Sequence, residues 1–186
     1  FVSLYKGPKS DFAVLMTTFV LTVIFDLTIA IEIGLLLAVV LFLKRTSESV
    51  EIRHFQDEID PNQELDIQIN SEEKLTIPEG VDVYEIDGPY FFGIANKFEE
   101  VMSRISQKPQ VRIIRMRRVP FMDSTGIHNL EILIEQSHKE GIEIVLSGVN
   151  TQVRTALEKA GFTKLIPSEN ICSNINMALE RSKELI

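Results

Sequence analysis

The chain holds 186 residues, with 27 acidic against 19 basic side chains and a formal net charge of −8. Up to Arg45 it carries Lys6, Lys9, Lys44 and Arg45 against Asp11, Asp26 and Glu32, about +1, so the remaining 15 basic and 24 acidic residues give −9. That acidity argues against nucleic acid as a partner, because phosphate backbones need clustered Lys and Arg, and a single cysteine, Cys172, permits no internal disulfide, as in a reducing compartment.

The chain opens at Phe1 without a readable secretory signal and reads as a piece of something longer. From Phe12 to Leu43 it runs FAVLMTTFVLTVIFDLTIAIEIGLLLAVVLFL, 32 residues whose only charges are Asp26 and Glu32. This is membrane composition. As one helix it would reach about 48 Å, against a hydrocarbon core of roughly 30 Å. Split at Phe25-Asp26 it gives two short helices of about 14 and 17 residues. Lys6 and Lys9 precede the stretch and Lys44 and Arg45 follow it, which places both ends in the cytoplasm. The expectation is a helical hairpin belonging to a larger membrane bundle, since an Asp at mid-membrane costs roughly 2.5 to 3.5 kcal/mol unless neighbours receive it. Asp26 and Glu32 are therefore candidate intramembrane functional residues, although Asp26 at the tip can equally cap the second helix.

Residues 46–77 are acidic, lack a sustained apolar period and read as a linker, with at most a short strand around Leu65 to Ile69. After Pro78 strands and helices alternate. VDVYEI (81–86) reads as a strand, GPYFFG as an aromatic turn, and IANKFEEVMSRIS as a helix with Ile94, Phe98, Val101 and Ile105 on one face. VRIIRM (111–116) is a second strand, whose cluster of Arg112, Arg115, Arg117 and Arg118 reads as a solvated edge. It leads through VPFMDSTG to a helix with Ile127, Leu130, Leu133 and Ile134 inward, stopped by Gly141. IEIVLSGV (142–149) is a third strand, TQVRTALEKAG a helix ending at Gly161, FTKLI a short strand and ICSNINMALERSKELI a last helix. The pattern predicts an α/β domain over 78–186, with helices covering a small sheet.

Catalytic signatures are missing. His54, His128 and His138 stand apart, there is no His-Glu-x-x-His or cysteine pair to hold a metal, and neither G-x-S-x-G, P-loop nor G-x-G-x-x-G occurs. Ser124 has no evident general base, His128 reading as a surface residue. No enzyme, metal or cofactor is expected. The Asp123-Ser124-Thr125-Gly126 turn draws attention instead. Asp123 or Ser124 can cap the following helix for about 1 kcal/mol, without a capping box because no Glu or Gln follows three residues on. Gly126 permits close approach of another backbone. A helix cap, a docking edge and a phosphate acceptor all remain open.

Taken together, GPYFFGIANKFEE, RIIRMRRVPFMDSTGIHNLE and AGFTKL resemble the STAS domain that ends the SulP family of anion transporters, and TTFVLTVIFDLTIAIEIGLLLAVVLFLKR resembles that family's last two membrane helices. The resemblance implies residues 1–45 as the end of a membrane domain, 46–77 as linker, and 78–186 as a cytoplasmic STAS domain, a small mixed β-sheet covered by helices. It implies a multi-pass protein of the cell (inner) membrane, a secondary transporter for sulfate, bicarbonate or dicarboxylates, whose central anion site lies upstream. The implied partners are the remainder of the transporter chain, a second copy in a homodimer, and a cytoplasmic regulatory protein. STAS domains are also similar to anti-sigma-factor antagonists, in which the hydroxyl residue before the glycine of this turn accepts a phosphate. Thr125 matches that position, so the alternative is a membrane-tethered phospho-signalling module.

Overall fold

A computed structural model describes residues 9–48, 50–59, 75–90, 94–103 and 108–186. The chain forms two compact units, Phe1–Ser49 and Val50–Ile186.

In the first unit, α1 (Lys9–Ile24) and α2 (Leu27–Glu48) are separated where the sequence places the break, at Phe25 and Asp26. Asp26 makes the break: its Oδ1 accepts the Ile29 amide at 2.9 Å, covering one of the orphan donors of α2. The helices approach closely where Gly34 meets Thr18, a position at which a Cβ would collide with the Thr18 hydroxyl. That hydroxyl donates to the Val14 carbonyl at 2.8 Å and so is satisfied within its own helix. At 22 residues α2 is longer than expected, because the helix runs on through Lys44 and Arg45. Its segment Leu27–Thr46, mean hydropathy 2.4, is the one helix among the described residues long and apolar enough to cross a membrane; the apolar part of α1, Asp11–Ile24, is shorter.

The second unit is built on a sheet of β1 (Glu51–Phe55), β4 (Val81–Asp87), β5 (Val111–Arg118), β6 (Glu143–Ser147) and β7 (Ile171–Cys172), side by side in that order. Strand β1 runs antiparallel to β4, while β4 through β7 are parallel, so the sheet is mixed. The short strands β2 (Glu58–Ile59) and β3 (Leu75–Thr76) pair separately. One face, with Tyr84, Ile86, Ile114, Met116, Ile144 and Leu146, is covered by α3 (Ile94–Ser103), α4 (Ser124–Lys139) and α5 (Thr151–Lys159). The other, with Val81, Val83, Val111, Ile113 and Val145, is covered by α6 (Ile175–Leu185). This period-2 division follows directly from strand alternation.

Four details depart from the sequence reading. Strand β1 lies inside the stretch read as linker; its residues are at best half-buried, as suits an edge strand, so its apolar signal is weak. The strand expected around Leu65 to Ile69 falls outside the described residues. Phe162–Lys164 forms a 3-10 turn rather than a strand, because Phe162 and Ile166, four residues apart, are both buried, a helical spacing. The last helix starts at Ile175, not at Ile171: Asn174 Oδ1 accepts the Met177 amide at 2.9 Å, and Ile171–Cys172 instead extends the sheet.

The fourth departure concerns the arginines. Strand β5 lies at the centre of the sheet, and Arg112 and Arg115 are 6% and 2% exposed, so the solvated-edge reading is wrong for both. Acidic residues on β4 stand opposite in register, Asp82 beside Arg112, Glu85 beside Arg115 and Asp87 beside Arg118. Burial of these cations is tolerated because each has an anion, hydroxyl or aromatic face beside it.

Candidate functional site at the Asp123 turn

The turn at the head of α4 is held from beneath by three elements. Beyond β5 the chain bends through Val119, whose carbonyl accepts from Asn150 Nδ2 at 2.7 Å. The Tyr90 amide donates to the Phe121 carbonyl at 3.1 Å, and Tyr90 pairs with Met122 in a single parallel bridge. Gly126 then seats against Tyr90, where a Cβ would strike the Tyr90 carbonyl oxygen. Thus the glycine of the motif is required by close backbone approach, as the sequence suggested.

Asp123 is the N-cap: in extended conformation (φ −95°, ψ 179°), its Oδ1 accepts the Gly126 amide at 2.7 Å. The choice left open between Asp123 and Ser124 is settled for Asp123. Ser124 and Thr125 are both exposed, as is Phe121 immediately before them. The motif therefore divides its labour, with Asp123 and Gly126 turned to architecture and two hydroxyls displayed at a helix start. His128 is exposed on the next turn and faces Glu131, Nδ1 to Oε2 at 3.5 Å. Among the described residues no three His, Cys, Asp or Glu side chains gather as a metal ion would require.

Sequence reasoning missed the polar network buried in the sheet. Arg115 Nη1 meets Glu85 Oε2 at 3.0 Å, and Arg118 Nη1 meets Asp87 Oδ2 at 2.6 Å, with its Nε 3.6 Å from Glu85 Oε1. On the opposite face Arg112 donates to Ser137 Oγ at 2.7 Å and lies over the Tyr84 ring, 5.7 Å from its centroid. His54 of β1 stacks on the same ring at 4.8 Å, with its Nε2 3.4 Å from Asp82 Oδ1. Burial pushes the Tyr84 phenol up to about 12, and the nearby Asp82 charge adds to the rise. Burial alone raises Tyr90 further still. A signal was present: acids at 82, 85 and 87 and arginines at 112, 115 and 118 recur at nearly equal spacing in two apolar strands, the pattern of cross-strand pairing. Arg118 is thereby committed to β4, which leaves Arg117 as the exposed member of the pair nearest the turn.

In the hairpin the two acidic candidates differ. Asp26 is used as a cap, whereas Glu32 is exposed on α2 with no hydrogen bond or ion pair among the described residues.

Residues 74–178, more than half of the chain, match the model of the STAS domain. The chain belongs to the STAS domain family. Its STAS part is 42% identical to the SulP transporter STAS domain from Vibrio cholerae, over 59% of this chain and 85% of that one, with a TM-score of 0.53. A putative sulfate transporter of Bacillus subtilis, YvdB, is 31% identical over 82% of this chain and 27% of its own length. A match of that extent exceeds the 137 residues of Val50–Ile186 and so enters the hairpin. The murine Slc26a9 anion transporter shares the fold over 98% of this chain and 30% of its own, at 16% identity and a TM-score of 0.71. The chain thus has relatives in sequence that are named sulfate and bicarbonate transporters. It spans 27 to 30% of the length of the curated sulfate and bicarbonate transporters it matches.

Proposed function

We propose that this chain is the C-terminal part of a multi-pass secondary transporter for small anions of the sulfate, bicarbonate or dicarboxylate class. In this reading the hairpin closes the membrane domain, residues from 46 onward are cytoplasmic, and the transporter works in the cell membrane as a homodimer. One observation carries the reading: homology to transporters extends across the STAS domain into the apolar hairpin, where a free-standing signalling domain needs no counterpart. The flanking charges support the orientation, since Lys44 and Arg45 follow the apolar stretch, in the last turns of α2, as cytoplasmic anchors do. Single cysteines at positions 9 and 46 of the full-length parent, labelled in sealed vesicles, are expected to react from the same side. Labelling from opposite faces defeats the hairpin topology. Flux of radiolabelled sulfate and bicarbonate into vesicles containing the parent is expected to be saturable and mutually competitive, and absence of flux for every small anion tried defeats the transport reading.

Within that function the Asp123–Gly126 turn is proposed as the surface where a cytoplasmic regulatory protein or a phosphate acts. Its support is the display of the Ser124 and Thr125 hydroxyls at a helix N-terminus, where free amides and the helix dipole favour negative charge. Thr125→Glu should change flux per folded transporter while the isolated domain keeps its stability. Unchanged flux and unchanged partner binding would reduce the turn to the start of a helix.

A further inference from the structure

The two acids of the hairpin are not equivalent, and the difference points to a contact outside this chain. Asp26 has its capping task at the tip. Glu32 lies six residues further along α2, about 9 Å along the axis at 1.5 Å per residue. A glutamate is too short to reach back over that distance, unlike Lys or Arg, whose long stems snorkel. Nor can α1 receive it. Gly34 meets Thr18 of α1 and Ala30 is fully buried, and Glu32 is displaced from both by about 160° around the helix at 100° per residue. It therefore shares the opposite face with Thr28, Ile29, Leu35, Leu36 and Val39, all exposed. A carboxylate held there against lipid is strongly unfavourable, and intramembrane acids accordingly face protein or water and pair.

We infer that the Glu32 face of α2 docks against another membrane segment of the parent transporter, and that a Lys or Arg side chain on that segment pairs with Glu32. Charge complementarity selects this occupant. A lone carboxylate among Ile29, Leu35, Leu36 and Val39 offers one negative charge and, apart from the Thr28 hydroxyl, no further oxygens, too few for a desolvated metal cation. One fixed cationic side chain matches it. The remaining segments are available in proteins of this kind, since the chain spans only 27% of the length of its Bacillus subtilis relative. Helix α2 is then sandwiched, with α1 on its Gly34 face and the rest of the membrane domain on its Glu32 face.

This inference rests on the membrane reading of the hairpin, and its test separates the two. In the full-length parent, the substitution Leu36→Cys reports whether the face is out of water, through protection of the introduced thiol from an aqueous maleimide. Thermal unfolding of the purified, detergent-solubilised parent then reports the pair. Glu32→Gln, nearly isosteric, should lower the apparent Tm by several degrees, and Glu32→Lys should lower it further or yield aggregated protein. If the introduced thiol is protected while Glu32→Gln and Glu32→Lys both keep the wild-type Tm, the pair does not exist although the membrane reading stands. If Glu32→Gln keeps its Tm but flux loses its dependence on a proton or sodium gradient, Glu32 holds a mobile cation and the fixed partner is wrong. Free reaction of the introduced thiol puts this face in water and overturns the docked face, while the labelling at positions 9 and 46 tests the membrane reading separately.

Discussion

The hairpin and the sheet treat charge in opposite ways. Across Phe12–Leu43 only Asp26 and Glu32 are charged, and the second finds no partner within the described residues. In the sheet, Asp82, Glu85, Arg112 and Arg115 are all less than 9% exposed, and every one is placed beside a complementary group by strand register. A domain that folds in water can neutralise its own buried charges, since neighbouring strands bring the ions together as they pair. Two helices packed only on each other cannot, because each presents several faces and only one of them meets the other. The sheet unit pairs its buried charges internally, with Arg112 Nε, His54 Nε2 and Ser147 Oγ as its buried side-chain atoms lacking a hydrogen bond among the described residues, whereas the hairpin leaves Glu32 unpaired there.

Breaking one buried pair is the largest expected effect. Arg115→Leu leaves Glu85 buried with only the longer 3.6 Å contact to Arg118 and should cost Val50–Ile186 about 3 to 5 kcal/mol in urea unfolding. The double change Arg115→Leu with Glu85→Met should recover most of that loss, because replacing both ions by apolar groups is often neutral. Failure of the double change to recover would show that the network contributes more than charge balance.

Closure also depends on where the domain starts. A fragment beginning at residue 78 lacks β1 to β3 and the buried Ile59 and Ile77 as well as Val50; the share of β1 alone, Val50 with half-buried Ile52, is worth about 3 kcal/mol at 1.5 to 3 kcal/mol per fully buried apolar side chain. The shorter fragment should therefore melt well below a fragment beginning at Val50, and equal Tm values by calorimetry would return β1 to the status of linker.

Both regions use a glycine for their tightest contact, Gly34 at Thr18 and Gly126 at Tyr90. The obstacles differ, a side-chain hydroxyl in one and a backbone carbonyl in the other. Gly126→Ala should accordingly destabilise the domain by about 1 to 3 kcal/mol, as overpacking against an unyielding backbone does. A neutral substitution would mean that α4 can shift outward, and would loosen the geometry of the displayed hydroxyls.

The smallest effect is a pH dependence. The Tyr84 phenol is held at about 12 in the fold against an ordinary value of 10.0, so the unfolded chain loses this proton first. Stability from this group is complete below pH 10 and falls as pH rises from about 10 to about 12. Tyr84→Phe should remove part of the alkaline decline seen by circular dichroism, leaving the share that belongs to Tyr90.

Much was decided by local sequence. The hairpin break at Asp26, the alternation of strands and helices after Pro78, the inward residues of α4 and the freedom for close approach at Gly126 all follow from composition, period and short-range capping, which act within a few residues. Tertiary structure alone decided three matters. It made β5 central, which turned Arg112 and Arg115 from apparent surface into core. It recruited Glu51–Phe55 as an edge strand from an acidic stretch, and it assigned the cap to Asp123 so that Ser124 and Thr125 stayed exposed. The physical reason is common to all three: strand order and helix docking set which neighbour a polar group meets, and a charge reads as surface until its partner, about thirty residues away, is brought beside it.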